Sequence, residues 1–249
     1  MFFSAIDRAN KPEPPMLQQV RPKPVGLWLW AACACMTLGW DASGWDMHVM
    51  AWLAGGQGFT LRDHWWLNTV LHDGAKRLAV VIYLGIVCLT FWPRGFWRQI
   101  PRLRRLEILM GITLSLLVVS TLKRFSMTSC PWELQAFGGV ASYVSHWSWG
   151  VTDGGSGHCF PGGHASSAMA FMALSLPWLM SHQRHEQRTG QQLLVAIVLI
   201  GLVLGAAQTL RGAHYPSHTA WTGLICAAVA WLNHSAFALL AKSNPRLLS

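Results

Sequence analysis

The chain has 249 residues, 52% hydrophobic and only 12% charged, too apolar for an ordinary soluble domain and in the range of a polytopic membrane protein. Its formal charge of +9 does not point to nucleic acid, because the cations sit in short loops between apolar runs, the positive-inside pattern of membrane chains. The 15 tryptophans suit the headgroup region of a bilayer, and the six cysteines have neither zinc-site nor disulfide-scaffold spacing.

Residues 1–24 carry Pro12, Pro14, Pro15, Pro22 and Pro24 and read as a disordered tail without the apolar core of a signal peptide. Residues 25–40 form a first span, short for a hydrocarbon core of roughly 30 Å, so its ends must extend. The mixed stretch 41–75 alternates aspartates with tryptophans, and residues 59–72 suit a helix lying in the interface. Further spans are expected at 76–92, 106–122, 164–180, 191–207 and 219–240. Gly111 and Ser115 would let the third pack closely, and Pro177 would kink the far end of the fourth. Residues 242–249 are a short tail. The fold expected is all-α, a bundle of six membrane-spanning helices over residues 25–241 with a small cap between the first two spans.

Placing the amino terminus inside puts Arg8, Lys11, Arg21, Lys23, the arginines of the 93–105 loop, Arg184, Arg188, Lys242 and Arg246 on one side. Arg62, Lys76, Arg77, Lys123, Arg124 and Arg211 lie on the other. That bias makes both termini cytoplasmic. Three polar turns then meet on the opposite, periplasmic face: Lys123 to Pro131, Phe160-Pro161-Gly162-Gly163-His164, and Arg211-Gly212-Ala213-His214-Tyr215-Pro216-Ser217-His218. Ionisable groups at the ends of apolar runs are normally paired or used. A phosphate ester needs cations on its oxygens, an in-line nucleophile and a proton donor. Two imidazoles can fill the last two roles near neutral pH, and the backbone N–H groups of Gly162 and Gly163 can cradle oxygens without a metal.

These turns resemble the type 2 phosphatidic acid phosphatase superfamily of integral membrane lipid phosphatases, marked by Lys-x6-Arg-Pro, Pro-Ser-Gly-His and Ser-Arg-x5-His-x3-Asp. Here they read Lys123-x6-Cys130-Pro131, Pro161-Gly162-Gly163-His164 and Gln208-x5-His214-x3-His218. The resemblance implies that His214 is the nucleophile, that His164 is the general acid and that Lys123 holds phosphate oxygens. Both signature arginines and the carboxylate that orients the nucleophile are absent. Arg211 and Arg124 are the candidate replacements for the cations. His218 is the candidate partner that accepts an N–H from His214 and fixes its tautomer, with Asp153 or Glu133 supplying the missing charge. A disulfide between Cys130 and Cys159 would tether the converging turns. Trp132 and Trp221 are candidate lining for the lipid's way in. His72, His146, His182, His185 and His234 have no role in this reading.

The resemblance implies a bacterial inner-membrane lipid phosphatase acting through a phosphohistidine, with no metal or cofactor and a phosphorylated lipid as partner. Undecaprenyl diphosphate, phosphatidylglycerol phosphate, phosphatidate and phosphorylated lipid A all fit. A lipid-to-lipid phosphotransferase would use the same residues, and a catalytically silent lipid-binding member is the alternative of another class.

Overall fold

The computed structural model describes residues 24–56 and 58–243, so the tail expected over 1–24 lies outside the described residues except for Pro24, as does the tail expected over 242–249 beyond Ser243. Among the described residues the fold is all-helical, with no strands. Helix α1 (Pro24–Ser43) and α2 (Trp45–Ala54) lead to a π-helical segment, Trp66–Gly74, that runs straight into α3 (Ala75–Phe91). Then come α4 (Arg102–Phe125), α5 (Gly163–Met169), α6 (Met172–Leu179), α7 (Arg184–Leu210) and α8 (Pro216–Ser243).

Among the described residues, four helices are long and apolar enough to cross a membrane: Trp66–Phe91, Arg102–Phe125, Arg184–Leu210 and Pro216–Ser243. The shortest has 24 residues, about 36 Å at ~1.5 Å per residue, more than the ~30 Å hydrocarbon core. They mark a membrane protein. Helix α1 reaches 20 residues by extending past both ends of the expected 25–40 run.

The 164–180 run is not one helix. It divides between α5 and α6 at Ala170 and Phe171, where Phe171 N–H donates to Ala168 O (2.9 Å) and Leu174 N–H to Phe171 O (2.8 Å). Bonds to the third residue back tighten the turn and end the α-helical ladder. The break therefore precedes Pro177, which stays inside α6. The interfacial helix expected over 59–72 is also different: residues 60–63 turn, and the helix begins at Trp66 as an extension of α3.

Small residues set the helix spacing. A Cβ on Gly111 would lie 2.6 Å from Ala173 Cβ, one on Gly201 2.5 Å from Met169 Cγ, and one on Gly205 2.3 Å from Thr219 Cγ2. Ser115 is fully buried. Lipid offers no hydrophobic drive between helices, so contact of this kind holds a bundle together. The main core runs through Ile108, Ile112, Val119, Ala165, Met169, Cys226 and Ala230.

Two polar clusters stand at different levels. Near the start of α4, Glu107 is 1% exposed and accepts hydrogen bonds from Arg104 Nη1 (2.6 Å) and His234 Nδ1 (2.6 Å). Asn233 Nδ2 donates to Glu107 O (2.9 Å). Arg104 and Arg105, expected in a basic loop, thus belong to α4. Lys123 lies about 24 Å further along that helix. At its end a second apolar cluster gathers Met50, Ala54, Phe59, Leu134, Ala141 and Tyr215. There Ser217 N–H donates to Asp46 Oδ1 (3.1 Å) and the Ser217 hydroxyl to Asp46 Oδ2, so α2 caps the first turn of α8.

Candidate active site

The turn between α7 and α8 forms for a local reason. Gly212 has φ +74 and follows the last helical residues, with Gly212 N–H on Thr209 O (2.9 Å) and Ala213 N–H on Gln208 O (2.8 Å). This is a Schellman ending, which needs a residue comfortable in the left-handed region. A Cβ there would also lie 2.3 Å from the Phe59 ring. Because α7 stops at Leu210, His214 is not on one helical face with Gln208 and Arg211. The chain instead bends and delivers His214 beneath the 126–162 loop.

That loop is braced by the carboxylates expected at the nucleophile. Asp153 accepts from Ser129 N–H (2.5 Å), Ser129 Oγ (2.8 Å) and Gly155 N–H (3.0 Å). Glu133 accepts from Cys130 N–H (2.8 Å) and from the Ser156 hydroxyl. Neither is bonded to His214. The Cys130–Cys159 disulfide is formed, and Trp132 N–H donates to Gly212 O (2.9 Å), which closes the loop on the α7–α8 turn.

Within this frame the imidazoles of His164 and His214 face each other with ring centroids 6.5 Å apart. The two imidazoles, tilted by 49° to each other, therefore border one site. His214 is 4% exposed. Burial pushes its pKa well below 6.5, and the charges of Lys123, His218 and His164 push the same way. It is therefore neutral at neutral pH and keeps a lone pair. Lys123 lies over the start of α5: a Cβ on Gly163 would sit 3.4 Å from Lys123 Nζ.

Arg211 is 5% exposed. It donates through Nε to Arg62 O (2.8 Å), through Nη1 to Gln208 Oε1 (3.2 Å) and through Nη2 to Asn68 Oδ1 (2.8 Å). A guanidinium has about five N–H donors, so roughly two remain for an anion. Trp132 lies under the cations, with Arg62 4.6 Å and Arg211 5.8 Å from its ring centroid.

Other expectations are corrected. Gly162 N–H already donates to His218 O (3.3 Å), which leaves Gly163 N–H as the open donor of the pair. Arg124 is exposed on the neighbouring face of α4, and no hydrogen bond or ion pair joins it to the site. His218 does not hold His214: its Nδ1–H donates to Cys159 O (3.0 Å) and its buried Nε2 has no partner. Trp221 donates Nε1–H to Asp41 Oδ2 (2.8 Å).

Residues given no role also converge here. His72 lies against His164, ring centroids 3.7 Å apart, and its Nδ1–H donates to Asp73 Oδ1 (2.8 Å). His146 stacks on Phe160 at 4.2 Å and meets His218 at 5.4 Å, with Nε2 3.3 Å from Asp41 Oδ2. Five imidazoles thus follow one another: His72, His164, His214, His218 and His146. The sequence held one hint, since His72 and Asn68 share a short polar patch, WLNTVLHDG, and π-helical turns gather at functional sites.

A family model described as the PAP2 superfamily matches residues 105–241, which is more than half the chain. The chain belongs to the PAP2 superfamily. No curated protein and no solved structure matches it. PAP2 superfamily members are phosphoesterase hydrolases, so membership suggests phosphatase or phosphotransferase activity. Against the PAP2 signature the departures acquire a location. The residue in the first arginine position, Cys130, is in the disulfide, and the one in the second, Gln208, holds Arg211. The residue in the carboxylate position, His218, is turned to a backbone carbonyl. The sulfurs of Cys130 and Cys159 and a His214 nitrogen lie within 4.8 Å of one another, but metals take thiolates, and these sulfurs are bonded to each other.

Proposed function

We propose that this chain is a metal-independent integral membrane lipid phosphatase that hydrolyses a phosphate monoester or diphosphate on a lipid headgroup through a phosphohistidine at His214. The observation that carries the reading is the neutral, buried His214 with its ring centroid 6.5 Å from that of His164 and Lys123 Nζ over Gly163 beside them. His214 attacks phosphorus in line, and the bond to the leaving oxygen breaks. The negative charge of the bound phosphoryl group favours a proton on His164, and that imidazolium gives the leaving oxygen its proton. Lys123, the free N–H groups of Arg211 and the Gly163 N–H hold the three phosphoryl oxygens as charge spreads over them. His164, now unprotonated, takes a proton from water. The resulting hydroxide cleaves the phosphorus–nitrogen bond, releasing inorganic phosphate and restoring both imidazoles. Each task has a protein group, so the cycle needs no metal.

In this proposal α1 and the α5–α6 pair complete six crossings, and both termini are cytoplasmic. The Cys130–Cys159 disulfide supports a periplasmic site, because disulfides persist in oxidising compartments. The test is release of inorganic phosphate in detergent from undecaprenyl diphosphate, phosphatidylglycerol phosphate, phosphatidate and lipid A diphosphate. At least one should be hydrolysed by the wild type, not by His214→Ala, and equally well with a chelator present. Activity that survives His214→Ala, or that the chelator abolishes, overturns the mechanism. An added acceptor lipid that becomes phosphorylated would make the enzyme a transferase.

A further inference from the structure

A nucleophilic imidazole must carry its proton on one nitrogen and its lone pair on the other, and the group facing the far nitrogen decides which. In this site no carboxylate does so. Asp153 and Glu133 are occupied by the loop, and His218 Nδ1–H is directed at Cys159 O. Among the described residues, the groups bonded to the His214 ring belong to Cys159. Its Sγ lies 3.4 Å from His214 Nδ1, and its backbone carbonyl also acts on that ring. Sγ is half of the Cys130–Cys159 disulfide. A disulfide sulfur has no hydrogen and can only accept, whereas a thiol can donate.

We infer that the Cys130–Cys159 disulfide positions the nucleophile: as a proton-free acceptor beside Nδ1, Cys159 Sγ keeps the His214 proton on Nδ1 and the lone pair on Nε2, and reduction reverses that assignment. A dithiol reductant transfers two electrons and two protons to the bond, becoming a cyclic disulfide itself and leaving thiols on Cys130 and Cys159. The Cys159 S–H, with Ala213 O at 3.2 Å and His214 Nδ1 at 3.4 Å, then donates to Nδ1, the more basic of the two acceptors, and exchange with solvent moves the imidazole proton to Nε2. The number of protons on His214 is unchanged, but the nitrogen facing phosphorus no longer has a lone pair. The same cysteine holds His218 through its carbonyl, so one residue orients two imidazoles.

The consequence for catalysis rests on His214 as nucleophile, whereas the tautomer can be measured without a substrate. Full-length protein labelled with 15N-histidine in detergent micelles would be compared with His214→Gln to assign the ring nitrogens of His214. The oxidised protein should show the proton on Nδ1. Dithiothreitol, with the freed thiols counted by alkylation, should move it to Nε2, and reoxidation should return it. Cys130→Ser leaves a thiol beside His214 and should show Nε2–H without reductant. Cys130→Ser with Cys159→Ala lacks both crosslink and thiol and should keep Nδ1–H against the backbone carbonyl. If the single variant does not fold, titration of the wild type with dithiothreitol decides the question alone. Nε2–H in the oxidised protein, or a tautomer that reduction does not change, overturns the inference, as does the same tautomer in both variants, which would make the crosslink a tether only. Phosphate release from whichever of the four lipids the oxidised enzyme hydrolyses should fall at least ten-fold on reduction. Absence of any release from the oxidised enzyme would count against the proposed function, while the tautomer result would stand.

Discussion

The ring of His72 lies against that of His164, centroids 3.7 Å apart and tilted by 30°, with Asp73 accepting from its far nitrogen at 2.8 Å. The proposed general acid is therefore backed by an imidazole–carboxylate pair from a different part of the chain. His164→Gln is expected to lower kcat by about 10²–10⁴-fold, the usual contribution of a proton-transferring group. His72→Phe keeps a flat ring against His164 but cannot reach Asp73. It should cost roughly ten-fold in kcat, less than the group that moves the proton itself, with little change in KM. An unchanged kcat would reduce His72 to packing.

The pH dependence of stability has a definite sign. Burial, followed by the neighbouring charges of Lys123, His218 and His164, holds the folded-state pKa of His214 well below 6.5. The unfolded chain takes up that proton near 6.5 and the folded protein does not. The contribution is thus fully present above about pH 6.5 and is lost as pH falls below it. Thermal unfolding in detergent should show Tm dropping between pH 7 and pH 5, by less in His214→Gln. Equal slopes would place the uncompensated proton elsewhere.

Asp46 joins α2 to the start of α8. It is 6% exposed and accepts from Ser217 N–H, the Ser217 hydroxyl and Trp40 Nε1–H. Asp46→Ala removes a helix cap and strands buried donors. It should destabilise by about 2–4 kcal/mol, from ~1 kcal/mol for the cap and ~1–3 kcal/mol for an unsatisfied donor. Chemical denaturation in mixed micelles would measure it. Asp46→Asn should cost less, since its carbonyl oxygen still accepts.

Glu107 stands between Arg104 and His234 at the far level of α4. Glu107→Ala leaves a buried guanidinium without its counter-charge, a change that typically costs about 3–5 kcal/mol. The protein that remains folded should keep its kcat, because about 24 Å of helix separates this cluster from Lys123. A collapse of kcat at unchanged stability would instead show that the two levels communicate.

Gly212 offers a steric test. Gly212→Ala forces a side chain into the left-handed region, at about 1–2 kcal/mol, and drives its Cβ toward the Phe59 ring. A second substitution, Phe59→Ala, should recover the steric part of the lost Tm but not the backbone part. No recovery would mean that the backbone conformation alone is at fault.

Read residue by residue, the chain already contained the membrane character, the close packing at Gly111 and Ser115, and the convergence of three polar turns that pairs His164 with His214. These follow from local regularities: apolar run length, small residues within runs, and turn motifs at their ends. Only tertiary structure recruited His72 and Asn68 from the Trp66–Gly74 segment, set Asp46 on α8, and gave Asp153 and Glu133 to the loop instead of the nucleophile. It also turned His218 to a carbonyl, used up the Gly162 N–H, and placed a disulfide sulfur beside His214. Such contacts join polar residues up to 171 positions apart. A hydrogen bond between distant loops imposes no periodicity on either partner, so no pattern along the chain announces it.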